Sequence, residues 1–369
     1  MNLPDSLDPY TDVYFLRSKY ILEQEGLNPF VRAQIFIRNG PGKIFGIEEA
    51  LALVQKYSAL SKNGGHVFSL SDGDQYYPTD TVMLLEGCVL DIITLETILL
   101  GVISAATTRA NDHKDVDLDT ITQRTRDIVQ ILSGRPLYYF GARHWHYRLD
   151  ADISKAAFDG GASGASTEIG ARTANKKPVG TIPHSLECIF AWKYGINRAV
   201  TETIQAFDRW IEKAVPRIPL VDFANKEIDD SLASAKVVAN LSSVRVDTAE
   251  ENSMQGAKKD KRDEAYWYGT GVCISGIYAL REAFNAHGFS NVSIILSGGF
   301  GNKGKLQAFV DAERRLHIKL FDAVGVGELF PVRSATMDIV GVSDNPNVFQ
   351  PIAKIGRLYK PNSKLKQIV

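Results

Sequence analysis

Six short apolar runs, each cut off by a polar or glycine-bearing tip, mark the chain from its middle onward. They are Leu137-Tyr138-Tyr139-Phe140-Gly141-Ala142-Arg143, Pro178-Val179-Gly180-Thr181-Ile182-Pro183-His184, Ile218-Pro219-Leu220-Val221-Asp222, Val244-Arg245-Val246-Asp247-Thr248, Ile294-Ile295-Leu296-Ser297-Gly298-Gly299 and Ala323-Val324-Gly325-Val326-Gly327. A strand covered on both faces reads as an unbroken apolar run. Helical patterns lie between these runs, so they predict parallel βα units. Polar tips on such strands converge on one rim, where α/β barrels carry their active sites. An enzyme is expected.

The 369 residues suffice for one large barrel with a smaller companion domain. A formal net charge of -1 supplies no global field for nucleic acid or a membrane surface, so an anionic ligand must be held locally. The longest apolar stretch, 95–107, is too short to span a bilayer and carries Glu96. The opening Met1-Asn2-Leu3-Pro4-Asp5 lacks the basic and apolar regions of a secretory signal. With Cys88, Cys188 and Cys273 far apart and forming no metal-ligand pair, a cytoplasmic enzyme is expected.

Up to about residue 112 the pattern predicts strands at 31–37, 67–70 and 82–90, helices at 47–56 and 95–110, and a turn at 71–74, together an α+β sandwich. Beyond it, helices are expected at 118–132, 154–159, 186–194, 198–215, 228–241, 265–287 and 303–317. A last strand at 337–342 would end the barrel, giving a barrel domain at 113–342 and a sandwich domain of 1–112 plus the returning tail 343–369. Two loops stand out. The glycine-rich 156–171 can approach a ligand closely, and 250–263, with Lys258, Lys259, Lys261 and Arg262, is either a solvated face or a lid over a phosphate.

Ser297-Gly298-Gly299 and Gly325-Val326-Gly327, each at the end of a run, suit a phosphate cradle of backbone N–H groups. Arg143 and Arg245 offer forks for phosphate or carboxylate. Asp222 and Asp247 can hold Mg²⁺ or ribose hydroxyls, or form structural pairs with the arginines. His184, at a tip, is a candidate for catalysis or phosphate contact. His144 and His146 have the spacing of a metal pair but no third ligand. Phe140 and Tyr14 can sandwich a flat heterocycle or simply pack.

Read in order, these residues resemble the nicotinate phosphoribosyltransferase family, particularly its short prokaryotic members. Thr11-Asp12-Val13-Tyr14-Phe15 is similar to the family's TDxYF motif, Glu96-Thr97-Ile98-Leu99-Leu100-Gly101 to ETxLLG, Phe140-Gly141-Ala142-Arg143 to FGxR and Gly180-Thr181-Ile182-Pro183-His184-Ser185 to GTxxHS. Val244-Arg245-Val246-Asp247-Thr248, Ser297-Gly298-Gly299 and Gly325-Val326-Gly327 follow as VRxDT, SGG and GVG. The resemblance implies a type II phosphoribosyltransferase, with an N-terminal α+β sandwich on an irregular α/β (TIM-like) barrel. It implies transfer from 5-phosphoribosyl 1-pyrophosphate (PRPP) to nicotinate with Mg²⁺, ATP as a co-substrate through a phosphorylated His184, and a homodimer or larger homo-oligomer. Tyr14 of a neighbouring subunit and Phe140 would stack the base, and Arg143 or Arg245 would hold its carboxylate or the pyrophosphate. Asp222 and Asp247 would take ribose or Mg²⁺, and the Ser297 and Gly325 loops the 5′-phosphate.

The chain also departs from the family pattern. Phe223 stands where a threonine usually follows the aspartate, and Glu328 follows GVG where a small or hydroxylated residue is usual. The segment after VRxDT is longer than usual, and after FGxR the chain keeps His146 but lacks the usual arginine and proline. These differences leave open a diverged enzyme for another base, quinolinate or nicotinamide, and a non-catalytic nucleotide-binding relative.

Overall fold

The computed structural model describes residues 3–259, 264–345 and 348–368. Helix Leu118–Leu132 illustrates how local sequence places its elements. Asp117 caps it, accepting a hydrogen bond from the Asp119 N–H at 3.1 Å, and Ile121, Thr125, Ile128 and Leu132 form its buried stripe. Each large apolar side chain so buried stabilises by roughly 1.5–3 kcal/mol. The stripe rests against helices Asp150–Asp159 and Lys303–Leu316, outside a parallel sheet.

That sheet runs in the order Gly164–Ala165, Leu137–Tyr139, Ala323–Val326, Ser293–Leu296, Ser243–Val246, and every pairing in it is parallel. Val244, Ile294, Leu296 and Val324 have no exposed surface, as strands covered on both faces require. Beyond Ser243–Val246 the chain at 217–220 adds only two isolated parallel bridges, Arg217 to Leu241 and Leu220 to Arg245. The barrel is therefore irregular. All its strand ends face one rim.

A second, antiparallel sheet has the order Ala335–Ser343, Phe30–Ile37, Thr81–Cys88, His66–Ser69, Lys366–Gln367. Strands of the first 88 residues, strand Ala335–Ser343 and the tail strand Lys366–Gln367 make it up together. Helix Glu96–Asp112 is buried along nearly its whole length and packs on strand Ala335–Ser343. Gly101 lets it approach the loop beside it, since a Cβ there would lie 2.4 Å from the Trp145 carbonyl oxygen.

Four expectations change. The strand expected at 178–183 is irregular chain, and His184 instead opens helix His184–Tyr194. Pro178 and Pro183 bracket that stretch and lack the N–H a ladder needs. The strand expected at 337–342 is Ala335–Ser343, which pairs with Phe30–Ile37 in the antiparallel sheet, so a division at 342 falls within a strand of that sheet. Helix 265–287 begins only at Ile274, because Gly269 and Gly271 take φ values of 155° and 72°. Helix 198–215 is a 3₁₀ turn at Ile196–Arg198 followed by an α-helix at Ala199–Trp210.

Candidate active site

The rim opens into a cleft of about 880 Å³ bounded by both domains. Tyr14, Phe140, Arg143, His184, Arg245, Asp247, Ser297–Gly299 and Gly325–Gly327 all line it. Asp222 lies just behind, fully buried.

At one end Arg143 donates to Glu96 Oε1 at 3.0 Å and approaches Asp12 Oδ2 at 3.7 Å. Asp12 is fixed by the Thr97 hydroxyl at 3.0 Å and the Tyr14 hydroxyl at 3.2 Å. The Arg143 guanidinium also lies 5.7 Å from the centre of the Tyr14 ring. Tyr14 thus joins the pocket of its own chain, where the resemblance implied a neighbour's residue. The reason is local: the helix that starts at Val13 is tied to the barrel by Val13 N–H to Ser166 O at 2.9 Å and by Arg17 to Gly180 O at 2.8 Å. Burial pushes the Glu96 carboxyl well above its ordinary range, and nearby Asp338 and Asp12 add to it.

Phe140 stands between this end and the centre, with the Arg245 guanidinium 5.2 Å from its ring centre. Arg245 also donates to Ser297 Oγ at 2.9 Å and Asp247 Oδ2 at 3.1 Å. Gly325 lies inside strand Ala323–Val326, where a Cβ would meet Phe140 Cε2 at 2.5 Å and Cδ2 at 2.7 Å. Its glycine is needed for the ring. Replacing Gly325 with alanine should displace Phe140 and destabilise by roughly 1–3 kcal/mol. Urea unfolding checks this, and an unchanged midpoint would show that the ring yields freely.

In the loop expected to cradle phosphate, Gly298 and Gly299 take φ values of 80° and 86°, open to glycine and strained for other residues. No protein acceptor takes the N–H groups of residues 298–301 among the described residues. Asn302 then caps helix Lys303–Leu316, and Lys305 reaches back to Gly298 O at 2.9 Å. Lys305 is kept below its ordinary pKa by burial, against the pull of Glu250. Arg124 also lines the cleft.

The centre contains a residue that the motif reading missed. Lys354, 5% exposed, pairs with Asp222 Oδ2 and donates to Asp247 O at 3.1 Å, while His184 Nε2 is 3.1 Å from Asp222 Oδ1. Burial alone would raise the Asp222 pKa, but the charges of Lys354 and His184 outweigh it and hold the carboxyl well below the ordinary range. His184 is lowered, first by burial and then by Lys354. Burial works against the Lys354 cation, yet Asp222 and Asp247 keep its pKa raised. The only sequence signal was a lysine in a tail read as a simple return.

The two aspartates expected to take Mg²⁺ are both engaged by neighbouring side chains. Asp222 Oδ2 pairs with Lys354 and Oδ1 accepts from His184 Nε2, one Asp247 oxygen bonds Arg245, and no group of three His, Cys, Asp or Glu residues that could hold an ion occurs among the described residues. His146 turns to Glu49 at 3.1 Å, while His144 lines the cleft half-buried with its pKa lowered to about 4 by burial and by Arg143, so the two form no pair. Phe223 has no exposed surface and packs in the core. Glu328 does line the cleft, its pKa raised by burial. Of the expected lid, Lys258 and Lys259 are exposed, while 260–263 lie outside the described residues.

Comparison with known proteins bears on the fold. The quinolinate phosphoribosyl transferase N-terminal domain family matches residues 12–107. A nicotinate phosphoribosyltransferase of Mycobacterium tuberculosis is 24% identical over 242 residues, 63% of this chain and 51% of that protein. The chain thus spans about half the length of the curated relatives it matches. Among solved structures, the nicotinate phosphoribosyltransferase of Vibrio cholerae aligns over 96% of this chain and 89% of its own with a TM-score of 0.65 at 13% identity. That of Porphyromonas gingivalis aligns over 92% and 90% with a TM-score of 0.61 at 15% identity. At these identities the likeness to the solved structures shows a shared fold.

Proposed function

We propose that the chain transfers the phosphoribosyl group of PRPP to nicotinate, yielding nicotinate mononucleotide and pyrophosphate in NAD salvage. The observation that carries this reading is a single cleft that holds an aromatic-and-arginine end, an acid-base centre and a glycine loop with unclaimed N–H groups. Nicotinate lies against Phe140 and Tyr14 with its carboxylate toward Arg143 or Arg245. The 5′-phosphate takes the N–H groups of 298–301, beside Lys305. As pyrophosphate leaves, the ribose becomes oxocarbenium-like, and Asp247, facing the glycine loop, balances its charge. The buried walls keep water from competing with the base.

Mg²⁺ enters this reading as a counterion of the donor's pyrophosphate. Bound there, it would help neutralise the leaving group, and the remaining oxygen of Asp247 is the ligand the protein would offer it. ATP serves as a co-substrate, with the free Nδ1 of His184 as phosphoryl acceptor. We place the reaction in the cytoplasm, in keeping with three unpaired cysteines, and in a homodimer or larger homo-oligomer, on the family resemblance. No helix among the described residues is long and apolar enough to cross a membrane.

Incubating the purified protein with nicotinate, PRPP and Mg²⁺, with and without ATP, should form nicotinate mononucleotide. Absence of product in both mixtures would exclude the proposal. A second reading, a transferase for a dicarboxylate base such as quinolinate, is favoured by two further arginines in the cleft, Arg38 and Arg124, and by the family matched at 12–107. Competition between nicotinate, quinolinate and nicotinamide decides between the bases. Thermal stabilisation by PRPP without product from any base would indicate a binding protein instead.

A further inference from the structure

The tail 350–368 acts as a strap across both domains. Its Ile355 N–H donates to Phe223 O at 2.9 Å, Lys360 N–H to Gln34 Oε1 at 3.0 Å, and Lys366–Gln367 pairs with His66–Ser69 in the antiparallel sheet. Immediately before the first of these anchors, Lys354 enters the barrel centre from outside every strand-end motif. There it bonds two rim elements at once, the Asp222 carboxylate and the Asp247 carbonyl.

Held by that cation, Asp222 is an acceptor at both oxygens. The only hydrogen Oδ1 can take from His184 is the one on Nε2. His184 Nδ1 has no protein partner among the described residues, and the ring lines the cleft. We propose that Lys354 is a positioning residue: through Asp222 it fixes His184 with its proton on Nε2 and presents Nδ1 as a bare lone pair to the cleft. A lone pair so directed can attack an electrophilic phosphorus, forming an N–P bond as the oxygen of the departing diphosphate takes the electron pair. This role for Nδ1 rests on the phosphoribosyltransferase reading; the tautomer itself does not.

The groups that bear on His184 are Lys354, which disfavours its protonation, and Asp222 and Asp247, which favour it, with the buried Glu187 one turn along the same helix beside Asp222. Removing the lysine therefore tilts the ring toward the doubly protonated form. It also lets Asp222 share a proton.

The test is the ¹⁵N spectrum of the His184 ring in the ligand-free, histidine-labelled protein, assigned with H184Q. The wild type and K354R should show Nε2–H and a bare Nδ1 at neutral pH. K354M should lose that single tautomer, move the His184 titration upward, shift the acid limb of kcat to higher pH and reduce kcat at neutral pH by ~10²-fold. A wild-type ring protonated on Nδ1 overturns the proposal, and so does a K354M spectrum identical to wild type. If K354M does not fold, the wild-type and K354R spectra still decide. These spectra need no turnover, so failure of the transferase reading is distinguishable from failure of this one.

Discussion

Asp222→Asn should destabilise the protein by about 3–5 kcal/mol and lower kcat by ~10²- to 10⁴-fold. The size of the first effect follows from burial: Asp222 has no exposed surface and Lys354 is 5% exposed, so an amide leaves an ammonium buried without its countercharge. The second follows because His184 loses the anion that fixes its ring. An exposed pair would give neither, since such pairs contribute about 0–1 kcal/mol. The sign with pH is also fixed. A carboxylate whose folded pKa lies below its unfolded value stabilises at pH above about 4 and loses that contribution as pH falls. The gap between D222N and wild type should therefore narrow on the acid side. Urea unfolding across pH measures it, and the double variant D222N/K354M should recover part of the loss. A D222N protein as stable as wild type at pH 7 would mean that Lys354 leaves its site or loses its proton at little cost.

How much of this was legible in the sequence differs residue by residue. Helix Leu118–Leu132 could be read from its stripe, and the tips at Arg143, Asp222, Asp247 and Ser297 from the breaks in apolar runs, because both signals are local. Strand Ala335–Ser343 could not be assigned to its sheet, since an apolar run reads the same in either. Its partner is fixed only by pairing with residues three hundred positions away. Lys354 was hidden for the same reason: it meets Asp222 across 132 residues of sequence, and a lysine in a polar tail carries no mark of burial. Gly325 reads as a phosphate-loop glycine but makes room for Phe140, a distinction of contact rather than of pattern.

The other large effect concerns Asp150, one of several buried acids that make this fold sensitive to alkali. Burial raises its carboxyl to about 7, against the hydrogen bond from the Thr167 hydroxyl, and Asp12 adds to the rise. The Ser154 hydroxyl also opposes the rise, but Oδ1 completes no hydrogen bond among the described residues, so burial keeps the neutral form favoured. A carboxyl raised from about 4 to about 7 stabilises the fold fully below pH 4 and loses that contribution as pH climbs to 7, an effect of up to about 4 kcal/mol. Asparagine keeps an oxygen for Thr167 and cannot ionise. Asp150→Asn should therefore match wild type near pH 4 and exceed it in stability by a few kcal/mol at pH 8. Asp230, raised to about 7 by burial, and Asp338, raised to about 6, act in the same direction, so the variant should retain part of the slope. Parallel stability curves for the two proteins from pH 4 to 8 would show instead that Asp150 is ionised in the fold and that a polar partner reaches its Oδ1.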